Sequence, residues 1–416
     1  MISVLSALFI IGIFQILLPK TPLRHYSIPV SLVASVLFLL VLNLFPVLRQ
    51  TEVVAYWREM PAVMIALVFA CLFLEKKEAD AIILDFKEVA MQGLFVWIAV
   101  LGQIILGILL FVLLLRVFSD LPVITGLLIE TGFAGGHGTA AAMGEIFSRN
   151  GLVHGQDFGL FSATSGILGG TVLGLFFLQR EGYLLKSQER KNQKVIRENV
   201  VKFTNQLLVS SVLIGVVYFS GVLMQQYLLA ELPLFVYTLL ASILLKYWLH
   251  FIGMEGLIYV KTIESLNLVF AEILIFTGIA TIELTVIYSH MAELLLLSLV
   301  GFAWSIFAVK KIFPFLVQQR YSRELGMLNF GMLTGTTATG IMFLKIMDPE
   351  IKGDALKIYG KAAPLSSPFI GGGILTLSLP WLLSSYSVWL VLGCLVAAWL
   401  LLFLMAFLLK KLDKTA

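Results

Sequence analysis

Residues 131–144 read TGFAGGHGTAAAMG. Glycines, two threonines and a lone histidine interrupt a chain that is otherwise strongly apolar. Such residues make poor helix and bring polar atoms with them, so what surrounds them decides the fold. The chain has 416 residues, 59% hydrophobic and 13% charged, with a mean hydropathy of +0.98. Soluble domains run near 45–50% apolar and about 25% charged. A soluble fold cannot hide this much apolar surface, and the composition implies a polytopic all-α membrane protein. The net charge of +4 gives no case for nucleic acid. Cys71 and Cys394 lie far apart in apolar runs, which is neither a disulfide framework nor a metal cluster.

A spanning helix needs about 20 mostly apolar residues. Runs of that kind lie at 3–19, 28–48, 60–75, 90–117, 157–178, 206–228, 233–250, 265–282, 285–317, 360–380 and 385–409. The first run has no Lys or Arg ahead of it, unlike a secretory signal; Lys20 and Arg24 follow it, so it reads as a retained first helix. Segments 121–147 and 323–347 are too rich in Gly, Thr and charge for ordinary spans and read as re-entrant hairpins. The linker 179–202 carries Arg180, Lys186, Arg190, Lys191, Lys194, Arg197 and Lys202. By the positive-inside rule this linker is cytoplasmic. An odd number of spans precedes it, which puts the N-terminus outside. Lys20, Arg24, Lys76, Lys77, Lys87 and the basic C-terminal tail then fall inside as well.

The linker separates two similar halves. GFAGGHGTAAAM (132–143) lies over GMLTGTTATGIM (331–342), with Gly136 on Gly335 and Met143 on Met342. Further on, SGILGGTVL (165–173) lies over SPFIGGGIL (367–375). The offsets, 199 and 202, nearly agree. Five spans followed by their copy force the copy to insert upside down, the inverted-repeat signature of secondary transporters. The expected organisation is a first repeat over 1–178, a linker over 179–202, a second repeat over 203–380, and an extra span and tail over 381–416.

Non-helical backbone is tolerated at membrane depth only where it is buried in protein or lines a watery cavity. Gly135, Gly136 and Gly138 permit positive φ and close approach, freeing amide N–H groups for an anion at a helix start. Thr139, Thr336, Thr337 and Thr339 add hydroxyls, and Gly335 matches Gly136 in the second hairpin. A substrate site between two hairpin tips follows, with His137 either touching the substrate or holding its tip. Gly169, Gly170 and Gly371 to Gly373 read as close helix-packing positions. Ser165 and Ser367 occupy matching positions on the helices after the hairpins, where each either ligates an ion or back-bonds to a carbonyl. Glu272 sits inside a span, costly unless paired or wetted, and either lines an ion path or lies at the interface. Glu130, Glu145, Asp157 and Asp348 flank the hairpins as interfacial groups. Lys345 and Arg323, at the ends of the second, read as interfacial anchors.

The run FAGGHGTAAA, after a span and ahead of a Ser/Gly-rich span, resembles the signature of the bacterial sodium/glutamate symporter family. The resemblance covers nearly the whole length: two five-span halves, a basic central loop and a glycine-rich loop before the last helix of each half. It implies Na⁺-coupled uptake of glutamate across the bacterial inner membrane, with Na⁺ as coupling ion and no cofactor. It also implies a homodimer with an elevator-like motion, spans 1–2 and their copies at 206–228 and 233–250 standing as scaffold.

Other readings are a transporter of another carboxylate such as citrate or a related hydroxy acid, a channel, and an intramembrane enzyme. A channel would need no duplicated broken segments. An enzyme is disfavoured because ATSG (163–166) lacks the first glycine of a serine-protease turn. No HExxH motif occurs either.

Overall fold

The computed structural model describes residues 2–18, 30–72, 74, 86–183, 200–227, 233–317, 319–348 and 353–412. Most of the central linker, Lys20, Arg24, Lys76, Lys77 and the last residues of the tail lie outside that set. The described residues are nearly all helical, with no strand. Eight helices are long and apolar enough to cross a membrane: Glu52–Leu72, Lys87–Val117, Gly155–Arg180, Phe203–Tyr227, Leu234–Phe251, Val260–Ala280, Met291–Leu316 and Val388–Lys411. Ile2–Leu17 and Val30–Leu44 are apolar but shorter, at 16 and 15 residues. The protein is therefore a multi-pass membrane protein.

One expected span is not a single helix. Within 360–380 the chain leaves the helix Ala355–Ala362, makes a tight turn at Ala363–Leu365 and stays non-helical through 366–373. It resumes as Ile374–Ser385. Pro364, Pro368 and three consecutive glycines explain the break, because proline withdraws an amide donor and glycine carries the highest helix cost after it. Gly371 and Gly372 have φ of +67° and +101°, a conformation no continuing helix allows. Gly371 to Gly373 are therefore loop glycines rather than helix-packing positions.

The chain forms two compact units. The first contains Ile2–Leu17, Val30–Leu44 and Glu52–Leu72 together with Val200–Tyr227, Leu234–Phe251 and Val260–Ala280. Its core packs Ala70, Cys71, Leu213, Ile214, Val217, Ala241, Leu249 and Ile263. Lipid offers no hydrophobic drive between helices, so close contact and hydrogen bonds hold them. Thr238 donates to the Ala66 carbonyl at 2.9 Å, and Trp57 to that of Ser3 at 2.9 Å. Phe38, Trp57 and Phe276 meet edge to face.

The second unit holds Phe86–Leu113, both broken hairpins, Gly155–Arg180, Met291–Leu316 and everything described from 319 to 412. Gly169 lies against Phe302, and a Cβ there would stand 2.3 Å from the ring edge. Gly170 and Gly174 receive Thr334 and Phe343 in the same way. Gly169 and Gly170 thus are packing positions, as their place in a Gly-rich span suggests. Gln92 and Asn329, both fully buried, exchange amide hydrogen bonds of 2.8 and 3.0 Å. Each amide so satisfies the other where water cannot reach.

Candidate functional site

The first hairpin does not run as one helix. A short 3₁₀ segment, Val123–Leu127, leads to a π-turn over Glu130–Ala134, closed by Gly135 N–H to Glu130 O at 2.8 Å. Wide turns of this kind recur at functional sites. A new helix, Gly136–Arg149, then begins with Gly136 at φ +67°. Of the three glycines in the GGHG run, only Gly136 takes a positive φ; Gly135 sits at −78°. Gly135 is required for space instead, because a Cβ there would lie 2.6 Å from Thr139 Cβ.

The second hairpin is a helix–turn–helix. Gln319–Thr334 ends at Gly335, and Thr337–Met347 begins after it. Thr336 caps the new helix, its hydroxyl accepting the Thr339 N–H at 3.2 Å. The two arms press together at Gly331 and Gly340, where a Cβ on Gly331 would lie 2.3 Å from Gly340 N.

The tips of the two hairpins touch. A Cβ on Gly136 would stand 2.7 Å from the Gly335 carbonyl and 3.6 Å from the Thr336 methyl. The pair that the repeat superposes, Gly136 and Gly335, is the pair in contact. Two helix starts, Gly136–Arg149 and Thr337–Met347, therefore converge. Each presents first-turn N–H groups outside the helical bonding pattern and the positive end of its dipole, the Thr339 N–H being taken by Thr336.

The loop 366–373 closes on the first tip. Thr139 Oγ1 donates to the Gly371 carbonyl at 3.0 Å. Glu130 Oε1 accepts Gly371 N–H at 2.9 Å and the Thr376 hydroxyl at 2.7 Å. Glu130 is fully buried, not interfacial as its position beside the hairpin suggests. The loop that buries it lies some 240 residues away in sequence, so no local pattern reveals the burial.

A cavity of about 190 Å³ opens beside both breaks. Gln92, Val96, Ala134, Met332, Thr337, Tyr359, Ser366, Ser367 and Gly371 are among the residues lining it, and none of its lining residues carries a charge. The hydroxyls of Thr337 and Tyr359 stand 2.9 Å apart at its wall. A larger cavity of about 410 Å³ is lined by Lys310, Lys311 and Arg323 with Glu181 and Phe177. It includes neither hairpin break, so size alone does not make it the candidate.

The residues expected at the site divide accordingly. Gly135, Gly136, His137, Gly138, Thr139, Gly335, Thr336, Thr337 and Thr339 all lie at or beside the two breaks. His137 is buried, with Nε2 3.2 Å from Thr164 Oγ1. The Thr164 hydroxyl already gives its proton to the Leu160 carbonyl at 2.7 Å, so the imidazole is the donor. Ser165 donates to Ser162 O at 2.9 Å and meets Ser298 Oγ at 3.1 Å. Ser367 is exposed at the cavity and sits in the loop, not on a helix. Glu272 belongs to the first unit, where it accepts Ser31 N–H at 3.0 Å near the start of Val30–Leu44. Glu145 pairs with Arg149 at 2.6 Å on the surface, and Asp348 accepts Gly353 N–H at 3.0 Å. Asp157 accepts the Glu283 N–H at 3.3 Å. Gln92, Tyr359, Ser366 and Thr376 were not expected. Gln92, an amide inside an apolar run, is the one a sequence signal could have flagged.

Neither a curated protein nor a solved structure matches the chain. The family model of the sodium/glutamate symporters does, over residues 1–347. That span takes in both hairpins and ends before Tyr359, Ser366, Gly371 and Thr376. The match covers well over half of the 416 residues, and the chain accordingly belongs to the sodium/glutamate symporter family, sodium-coupled transporters rather than enzymes.

Proposed function

We propose that this protein takes up glutamate with Na⁺ by alternating access, binding it where the two hairpin tips meet. The observation that carries the reading is the contact of Gly136 with Gly335 beside the uncharged cavity. A dicarboxylate needs fixed donors, and amides at two converging helix starts supply them without a lysine or arginine. The hydroxyls of Thr336, Thr337 and Tyr359 add further donors, while Thr139 and Thr339 hold the tips in shape through their bonds to Gly371 and Thr336. His137 acts as a positioning residue, tying the first tip to Gly155–Arg180 through Thr164. Its tie to a side chain of a neighbouring helix favours that role over direct contact with substrate.

The inverted repeat is supported by how the units are composed. Each takes helices from both halves of the sequence, and the first gathers three from each. In the proposed cycle the first unit is the scaffold and contributes the homodimer contact, and the second carries the substrate. The scaffold then includes Glu52–Leu72 and Val260–Ala280 besides the first two helices of each half. The N-terminus faces outward and the linker the cytoplasm of a bacterial inner membrane. Ser165 and Ser367 remain candidate ion ligands, the first beside Ser298 and the second at the cavity. Glu272 has a use already, as acceptor for Ser31. The same donor set suits another carboxylate such as citrate.

Uptake of labelled L-glutamate into proteoliposomes tests the reading, with aspartate and citrate as competitors. Na⁺-dependent accumulation blocked by unlabelled glutamate supports it. Competition by citrate alone moves the substrate and keeps the site.

A further inference from the structure

Glu130 presents an unusual arrangement for a carboxylate at membrane depth. It is 0% exposed, and among the described residues no Lys, Arg or His pairs with it. One oxygen, Oε1, holds both hydrogen bonds, from Gly371 N–H and the Thr376 hydroxyl. The other, Oε2, is buried without any partner. A buried charge without compensation is expensive, and such a group is paired, takes up a proton or is given to a cation.

Around it the backbone is broken on both sides and rich in oxygen. The Gly371 carbonyl takes the Thr139 hydroxyl at 3.0 Å, and the Cβ position of Gly371 lies 3.6 Å from the Ala134 carbonyl. Unwound carbonyls and hydroxyls are what a desolvated alkali cation takes as ligands in transporters.

We propose that Glu130 is the anionic ligand of the coupling Na⁺, at a site completed by oxygens of the first hairpin break and the loop 366–373. The assignment rests on the sodium-coupled reading above and says where the ion binds. It also accounts for coupling. Ala134 and Gly371 line the cavity, and Gly371 is bonded directly to Glu130. Without a cation the carboxylate repels an anionic substrate nearby. With the cation the repulsion is removed and the loop is clamped onto the hairpin tip. Each ligand thereby favours the other, as reciprocal coupling requires.

The test uses the purified full-length protein. Its thermal unfolding midpoint is followed against NaCl replacing choline chloride, for wild type, Glu130→Gln and Glu130→Asp, with proteoliposome uptake alongside. The amide of Glu130→Gln can still accept from Gly371 and Thr376, but it lacks the charge. Wild type should gain stability with Na⁺, and Glu130→Gln should lose that response together with the Na⁺ dependence of uptake. Glu130→Asp should respond only at ten-fold or more higher Na⁺. If Glu130→Gln does not fold, Glu130→Asp decides, and a wild-type Na⁺ midpoint in it overturns the assignment. Wild-type Na⁺ midpoints in Glu130→Gln overturn it equally. A wild type blind to Na⁺, whose uptake follows a pH gradient, overturns both this site and the sodium-coupled reading. Na⁺-driven uptake in wild type with an indifferent Glu130→Gln removes only the site.

Discussion

Gly136 carries two constraints at once: a φ of +67° and a neighbour, the Gly335 carbonyl, 2.7 Å from where a Cβ would be. The left-handed conformation alone costs an L-residue about 1–2 kcal/mol, and backbone against backbone has little room to yield. Gly136→Ala should fold and insert, yet lose most glutamate uptake because the tips can no longer meet; a glutamate titration of uptake checks it. Tyr359→Phe is a gentler change. Losing one hydroxyl at the cavity wall, worth about 0.5–1.5 kcal/mol, should raise the half-saturating glutamate concentration roughly 2- to 10-fold with maximal rate retained. Thr164→Val removes the acceptor of the His137 imidazole together with the hydroxyl's own bond to the Leu160 carbonyl within its helix, and it should reproduce the uptake defect of His137→Ala if His137 positions the tip. The two breaks were legible in the sequence, because there glycine clusters with threonine in the midst of apolar runs. Glu130 was not: its burial depends on Gly371 and Thr376, and nothing next to it in the chain announces them.

At the scale of elements, the helix Gly155–Arg180 is the surface on which the second hairpin rests. A Cβ on Gly170 would stand 2.2 Å from Thr334 Oγ1, and one on Gly166 2.8 Å from the Thr334 carbonyl. Gly170→Val should therefore lower stability by about 1–3 kcal/mol, the usual cost of overpacking. Gly12→Ala, with nothing within 4 Å of its Cβ position, should leave stability unchanged or slightly raised. Thermal unfolding of both variants in the same detergent checks the contrast. Most helices were readable from apolar runs, because a span leaves little choice of residue. The element 360–380 is broken where its apolar run suggests a span. Gly371 and Gly372 superpose on Gly169 and Gly170, which do pack inside a helix, so the likeness of the two stretches conceals that they differ here. Pro364 and Pro368 were the local signal against a helix, and they outweigh the likeness.

The chain divides into two units, and the second carries both Gly/Thr breaks and the loop 366–373. Apolar composition pointed to a membrane protein, and the FAGGHGTAAA run pointed to the transporter family that the family model also gives. Membership of two units could not be read along the chain, because each unit draws on both halves. In the proposed cycle glutamate moves with Na⁺ through the site between the Gly136 and Gly335 tips. Labelled L-glutamate uptake into proteoliposomes, with and without an inward Na⁺ gradient, tests it most directly when wild type is run beside Gly136→Ala. Wild type should accumulate glutamate above equilibrium only with the gradient, and the variant should accumulate little. Glutamate flux that never exceeds equilibrium, or accumulation that Gly136→Ala leaves intact, would contradict it.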